Sequence, residues 1–221
     1  MATLLFDVYG TLVDPAGMAE HLKADAGGQA SRLAAVWRER QLEYTFRRAL
    51  MGRYRDFSVC TAQALQHAAE SLGVAIGETR RAELLEAYRK LPAFSEARPA
   101  LEALRPDHDL HAFSNGTPDG VAELLEPAGL TDFFASVISV DAVASYKPDP
   151  KVYAHALVSA GSSGDKTWMI SANGFDALGA RNAGLHSIWV RRHRSVAPDP
   201  WEIQPTATVA GLAGIRAVLE A

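Results

Sequence analysis

The feature that most limits what this chain can fold into is a rhythm with one long interruption. Along most of its length, short apolar runs alternate with longer amphipathic stretches. Thr3–Val8, Asp109–Phe113, Phe134–Val140, Thr167–Ser171 and His186–Val190 read as buried strands. Helical patterns lie between the later runs, at Asp119–Leu125, Pro150–Ala160 and Asp176–Ala183, and Gly184 sits just past the last of these as a helix-ending glycine does. Strands that alternate with helices pair in parallel, because each crossover helix packs back onto a face of the sheet. Between about Asp14 and about Pro92 the rhythm fails and no convincing strand occurs. Ala30–Met51 is a long helical pattern with Leu33, Val36, Trp37, Phe46 and Leu50 as its expected inward residues. Thr61–Leu72 ends at Gly73, and Glu78–Lys90 ends before Pro92. The expected architecture is α/β: a Rossmann-like parallel sheet built from residues 1–13 and 93–221, with an all-helical insert over residues 14–92. Inserts at strand C-termini lie over the crevice where ligands bind in open α/β sheets, so the insert is expected to be a cap.

Bulk properties narrow the class of function. The 221 residues are 48% hydrophobic and 22% charged, enough to bury a large core. A net charge of −4 offers no electrostatic footprint for nucleic acid or an anionic membrane. Nothing approaches a membrane span, and the run after Met1 is too short and lacks the basic flank of a signal peptide. The single cysteine, Cys60, excludes an internal disulfide and suits a cytoplasmic location. No histidine pair has metal-ligand spacing within a supporting motif.

Four strand ends carry polar residues in combination. The first is Phe6-Asp7-Val8-Tyr9-Gly10-Thr11-Leu12, where a carboxylate at the end of a buried strand is costly unless paired or used. Gly10 lets the chain turn back and brings N–H groups near that carboxylate. The second, Phe113-Ser114-Asn115-Gly116-Thr117, supplies a hydroxyl and an amide. The third, Tyr146-Lys147-Pro148-Asp149-Pro150, places an ammonium before a helix start, and the fourth is Ser171-Ala172-Asn173-Gly174-Phe175-Asp176. Taken singly, Asp7 would be a turn aspartate, Lys147 and Asp176 an ion pair, Arg38 a solvated helix arginine, and Ser114 and Asn115 helix caps. In a parallel sheet the four loops meet at one edge, which turns them into one site.

In this order and spacing the four segments resemble the motifs of the haloacid dehalogenase superfamily, and more narrowly its L-2-haloacid dehalogenase branch. Phosphatase members usually carry a second aspartate two residues after the nucleophile; here that residue is Tyr9. The stretch Trp37-Arg38-Glu39-Arg40-Gln41-Leu42-Glu43-Tyr44-Thr45 is very like the dehalogenase cap helix, so the resemblance covers nearly the whole chain. It implies a core of the haloacid dehalogenase type with a helical cap, and hydrolysis of short-chain (S)-2-haloalkanoic acids to (R)-2-hydroxy acids through an aspartyl ester on Asp7. The halogen is left open, fluoride and hence fluoroacetate included.

Roles follow by resemblance. Lys147 keeps Asp7 ionised, Asp176 and Asn173 hold Lys147 and place water, Ser171 supports them and Thr11 fixes Asp7. Ser114 and the N–H groups of Val8 and Tyr9 hold the substrate carboxylate. Arg38, Asn115 and Phe175 cradle the halide, Tyr9, Leu42 and Phe57 wall the carbon chain, and Tyr153 joins the cluster. No cofactor is expected and no metal: Tyr9 and Asn173 stand where carboxylates would help Mg²⁺, which favours oxygen ligands. The partners implied are the small haloacid and halide ion, with a homodimer as assembly. The alternative is a Mg²⁺-dependent small-molecule phosphatase of the same superfamily. A non-catalytic binding protein would not need Asp7, Lys147 and Asp176 together.

Overall fold

The computed structural model describes every residue from Met1 to Ala221. Strands β1 (Thr3–Phe6), β2 (Asp109–Ser114), β3 (Ser136–Ser139), β4 (Thr167–Ser171), β5 (His186–Val190) and β6 (Ala207–Val209) form one sheet in the order β3-β2-β1-β4-β5-β6, every pairing parallel. β1 is central and paired on both sides, so Leu4, Leu5 and Phe6 are fully buried. A strand buried on both faces reads as a continuous apolar run, which explains the run before Asp7. From β1 the chain winds outward through β2 to β3, then returns to β1's other side with β4. The winding reverses between β1 and β4, and beyond their C-termini a ligand crevice forms. Phe6 is level with Ala112 of β2 and Ile170 of β4, so the residues after these three strands emerge side by side.

Helices α1 (Met18–His21), α2 (Lys23–Ala26), α3 (Ala30–Leu50), α4 (Phe57–Ser71) and α5 (Glu78–Tyr88) lie between β1 and β2, with no strand among them. Helices α6 (Ala97–Leu104), α7 (Pro118–Leu125), α8 (Pro150–Ser159), α9 (Gly174–Asn182) and α10 (Ile215–Leu219) accompany the later strands. The chain leaves and re-enters the sheet layer through adjacent segments: Asp14 N donates to Pro92 O at 3.1 Å and Phe94 N to Leu12 O at 2.9 Å. No helix is long and apolar enough to cross a membrane.

Several elements differ from the expected ones. α4 starts at Phe57 rather than Thr61, because Asp56 Oδ1 caps it, accepting from Ser58 N at 2.9 Å and Val59 N at 3.2 Å. α6, which buries Ala97, Ala100, Leu101 and Leu104 on one face, and the three-residue, half-exposed edge strand β6 lie outside the expected elements. On α3, Leu50 is 89% exposed, against expectation. The buried stripe is Leu33, Ala34, Trp37, Gln41 and Thr45. At about 100° per residue these fall on one face and Leu50 on the opposite one. The stripe was hard to see because two of its members are polar. Phe46 also lies off the stripe, half-buried against Phe175 of α9, with ring centroids 5.0 Å apart.

α8 and α9 approach closely at Gly179. A Cβ there would lie 2.5 Å from Tyr153 Oη and 2.6 Å from Pro148 Cβ. Alanine normally favours a helix over glycine by about 1 kcal/mol. Here Gly179→Ala is expected to destabilise by about 1–3 kcal/mol, because overpacking wins over propensity. Urea unfolding would check this; an unchanged or higher midpoint would show that the helices can separate freely.

Candidate active site

The loop after β1 is wound tightly around one carbonyl: Val8 O accepts from Thr11 N, Leu12 N and Val13 N at 3.2, 2.9 and 3.1 Å. Gly10 has φ +90°, a conformation that L side chains resist, which makes this turn possible. Arg192, from the segment after β5, holds the loop from outside. It donates to Gly10 O at 2.9 Å and Thr11 O at 2.7 Å while pairing with Glu96 at 2.8 Å. The N–H groups of Val8 and Tyr9 have no acceptor within the protein, leaving two donors beside Asp7.

The Asp7 carboxylate is 6% exposed and its oxygens differ. Oδ2 accepts from Thr11 Oγ1 at 2.7 Å, Asn173 Nδ2 at 2.7 Å and Ser171 Oγ at 3.3 Å. Oδ1 accepts only from Lys147 Nζ, at 3.2 Å. Lys147 is itself buried, and its ammonium also donates to Asp176 Oδ2 at 3.0 Å and Phe113 O at 2.8 Å. Three N–H groups thus meet three acceptors, and the edge of the cluster is closed by the Phe113 ring, 4.2 Å from Nζ. Asp176, wholly buried, takes the Tyr153 hydroxyl on Oδ1 at 2.8 Å. Burial, reinforced by the charge on Asp7 and opposed by Lys147, holds the Asp176 carboxyl above the usual aspartate range. Burial likewise pushes the phenols of Tyr9 and Tyr153 well up, so both act as neutral groups.

Asp7 and Lys147 open onto a small cavity completed by Tyr9, Arg38, Leu42, Phe57, Asn115, Asn173 and Phe175. Its free space, about 10 Å³ for the centre of a water, admits about one molecule. Tyr9 forms one wall, its ring stacked on Tyr88 with centroids 5.8 Å apart and packed at a tilt against Phe57 at 5.2 Å. Arg38 closes another, donating through Nη2 to Tyr9 O at 3.2 Å, with Asn173 Oδ1 at 3.5 Å. Asn115 anchors the third segment, its Oδ1 accepting from Lys147 N at 3.0 Å.

The structure brings together Asp7, Thr11, Lys147, Ser171, Asn173, Asp176 and Tyr153 in one hydrogen-bonded cluster. Tyr9, Arg38, Leu42, Phe57, Asn115 and Phe175 meet on the cavity wall. Ser114 does not reach that wall; it is fully buried and its Oγ accepts from Gly116 N at 3.0 Å, a turn-forming bond. Asp176 is also off the wall, behind Lys147. Sequence reading missed Gln41, Tyr88 and Arg192. Gln41 stands one turn after Arg38 on the same helix face, a signal available in the spacing. The contacts of Tyr88 and Arg192 depend on chain packing alone. The donor set is poor for a divalent cation: the two carboxylates share one ammonium, and no group of three or more Asp, Glu, His or Cys side chains converges.

A sheet of this order, with a carboxylate–ammonium–carboxylate chain at its crevice, defines a class. Residues 1–184 match the model of the haloacid dehalogenase-like hydrolases. The (S)-2-haloacid dehalogenase of Pseudomonas sp. (strain YL) is 36% identical over 216 residues, covering 95% of this chain and 93% of that protein. That of Xanthobacter autotrophicus is 39% identical over 189 residues, 86% of this chain and 74% of that protein. The structure of the Xanthobacter autotrophicus L-2-haloacid dehalogenase with chloropropionic acid covalently bound superposes with a TM-score of 0.93 and 32% identity, covering 100% of this chain and 99% of that one. The chain belongs to the haloacid dehalogenase-like hydrolases and, within them, to the (S)-2-haloacid dehalogenase family.

The Asp176 shift has a measurable sign. A carboxyl raised in the folded state favours folding at low pH, and that contribution is lost as pH rises from 3.8, the ordinary value, through the raised one. Asp176→Asn removes the ionisation. Its stability relative to the unmodified protein is expected to rise between about pH 4 and pH 7, while turnover falls. Chemical denaturation at several pH values checks this; a difference that does not change with pH would show that Asp176 is ionised as easily folded as unfolded.

Proposed function

We propose that the protein hydrolyses short-chain (S)-2-haloalkanoic acids to (R)-2-hydroxy acids through an ester on Asp7, without a metal ion. The observation that carries this reading is the asymmetry of the Asp7 carboxylate. Oδ2 is saturated by three donors, whereas Oδ1 keeps lone-pair density at the cavity beside Lys147. A carboxylate oxygen with a single donor, on a cavity whose walls include Tyr9, Leu42, Phe57 and Phe175, suits attack on carbon. The curated relatives named as (S)-2-haloacid dehalogenases, and the solved relative with chloropropionic acid covalently bound, support the same chemistry.

In the first step, an Asp7 Oδ1–carbon bond forms as the carbon–halogen bond breaks, inverting that carbon; halide leaves with the electron pair. Arg38, Asn115 and the Phe175 ring edge receive it. The free N–H groups of Val8 and Tyr9 hold the substrate carboxylate together with Ser114, whose Oγ accepts from Gly116 N and keeps its own hydrogen to donate. Tyr9, Leu42 and Phe57 wall the carbon chain. In the second step, water placed by Asn173 and Ser171 attacks Cγ of Asp7, and the Cγ–Oδ1 bond breaks to release the hydroxy acid. Asp176 accepts one of the water's protons and returns it to the departing alkoxide oxygen, while the other proton leaves to solvent as Asp7 is restored to a carboxylate; burial makes Asp176 more basic than an ordinary aspartate. Since Asp176 lies behind Lys147, the ammonium shifts once the ester has removed the charge on Asp7. Tyr153 holds Asp176, and Thr11 fixes Asp7.

The helical unit 14–92 acts as the cap. A cavity with room for about one water cannot receive a substrate without the cap lifting. The exposed Leu50 and Met51 at the end of α3 support a homodimer through this unit, and a monomeric mass by light scattering would remove that part of the reading.

A single turnover in oxygen-18 water is expected to place label in the Asp7 side chain, and Asp7→Asn to lower turnover by about 10⁴-fold or more. Label found only in the hydroxy acid would point instead to direct attack by water. Halide release is measured on both enantiomers of 2-chloropropionate and on fluoroacetate, with and without EDTA, beside p-nitrophenyl phosphate with Mg²⁺. Metal-dependent phosphate release without halide release would overturn the proposal in favour of a phosphatase.

A further inference from the structure

Helix α3 buries Gln41 completely, in line with the apolar side chains of Leu33 and Trp37. A buried amide is costly unless its oxygen and nitrogen both find partners. Gln41 Oε1 accepts from Arg38 Nη1 at 2.7 Å and from the Tyr88 hydroxyl at 3.0 Å, and Nε2 donates to Thr61 Oγ1 at 2.6 Å. Thr61 in turn donates to Phe57 O at 2.8 Å. A guanidinium can only donate, so the amide atom facing Arg38 must be oxygen, and the direction of every other bond follows. The chain holds Nη1 and turns Nη2 towards Tyr9 O and Asn173 Oδ1 on the cavity wall.

The choice of side chain at this position matters for charge. Two cations line the cavity, Lys147 and Arg38. Lys147 is shared by two carboxylates, whereas the Arg38 guanidinium is held by neutral oxygens alone. Glutamate at position 41 would fill the same volume and accept the same bonds from Arg38 and Tyr88. It would also neutralise the guanidinium, because a carboxylate beside a buried cation stays ionised. Glutamine gives the geometry without the counter-charge.

We propose that Gln41 is a positioning residue for dehalogenation: a neutral acceptor, braced by Tyr88 and Thr61, that aims the Arg38 guanidinium at the departing halide while leaving its charge uncompensated. The inference rests on the halide-binding role proposed for Arg38. It predicts opposite orders for stability and function. Gln41→Glu keeps the shape and the bonds accepted from Arg38 and Tyr88 and loses only the donation to Thr61, whose hydroxyl must turn from Phe57 O to meet the new acceptor, whereas Gln41→Met leaves all three partners unsatisfied; Gln41→Glu should therefore be the more stable of the two. Function should run the other way. Inhibition of 2-chloropropionate hydrolysis by added bromide should weaken about tenfold or more in Gln41→Glu, approaching Arg38→Met, and about threefold in Gln41→Met, which keeps the cation. A merely structural glutamine would make both properties follow one order, with Gln41→Met the worse, and that result overturns the proposal. If Arg38→Met itself leaves bromide inhibition unchanged, the halide role of Arg38 fails instead, a separate outcome. Tyr88→Phe and Thr61→Val each remove one brace without touching the guanidinium. Each should weaken bromide inhibition about two- to fivefold, and no effect from either overturns the proposal even where Gln41→Glu does not fold.

Discussion

A buried ammonium must be met on every N–H and balanced by charge, and in this protein Lys147 imposes that requirement on four separate segments of chain. Its partners are Asp7 after β1, Phe113 at the end of β2, and Asp176 in the first turn of α9, while Lys147 comes from the loop after β3. Any sheet order that moved β2 or β4 away from β1 would strand the charge. The parallel order with β1 central is therefore both the architecture and the electrostatic solution of the site. Burial, reinforced by the charge on Asp7 and opposed by Lys147, holds Asp176 above its ordinary range, so the cluster keeps one unusually basic carboxyl behind the ammonium.

The other half of the site is built on the opposite logic. Around Tyr9 the wall is a cluster of aromatic rings, stacked with Tyr88 and tilted against Phe57, which fixes its shape. Within it sits one cation, Arg38, held by neutral acceptors. The first half concentrates paired charge around Asp7; the second presents the positive charge of Arg38 without a carboxylate partner. A low-dielectric pocket makes both arrangements stronger than they would be in water. Tyr9 belongs to both halves: its backbone N–H faces the anion side and its ring faces the apolar side.

Much of the sheet was legible in the sequence because its strands are buried on both faces and read as unbroken apolar runs. The four polar strand ends were legible for the same reason, since a carboxylate or ammonium just past such a run stands out against it. Resemblance of the segment from Trp37 to Thr45 brought Arg38 into the site. What stayed hidden were features whose local pattern misleads. Leu50 is apolar yet exposed, and Gln41 and Thr45 are polar yet buried, so of the expected inward residues of α3 only Leu33 and Trp37 are fully buried. Ser114 is fully buried and its Oγ accepts from Gly116 N, a local bond with no mark in the sequence spacing that leaves its O–H available to donate.

By itself the sequence determined the alternation that dictates a parallel sheet, the position of the helical insert, and the identity of the groups at each strand end. These are local properties, written in periodicity and residue type. Only the tertiary structure decided which Asp7 oxygen has three donors and which has one, that Asp176 stands behind Lys147 and not on the cavity wall, that Tyr88 and Thr61 brace Gln41, and that Arg192 holds the loop after β1 from a remote segment. Those facts depend on distances between groups up to 182 positions apart along the chain, as for Arg192 and Gly10. Hydrogen-bond direction and burial at such range follow from packing, and packing has no one-dimensional signature.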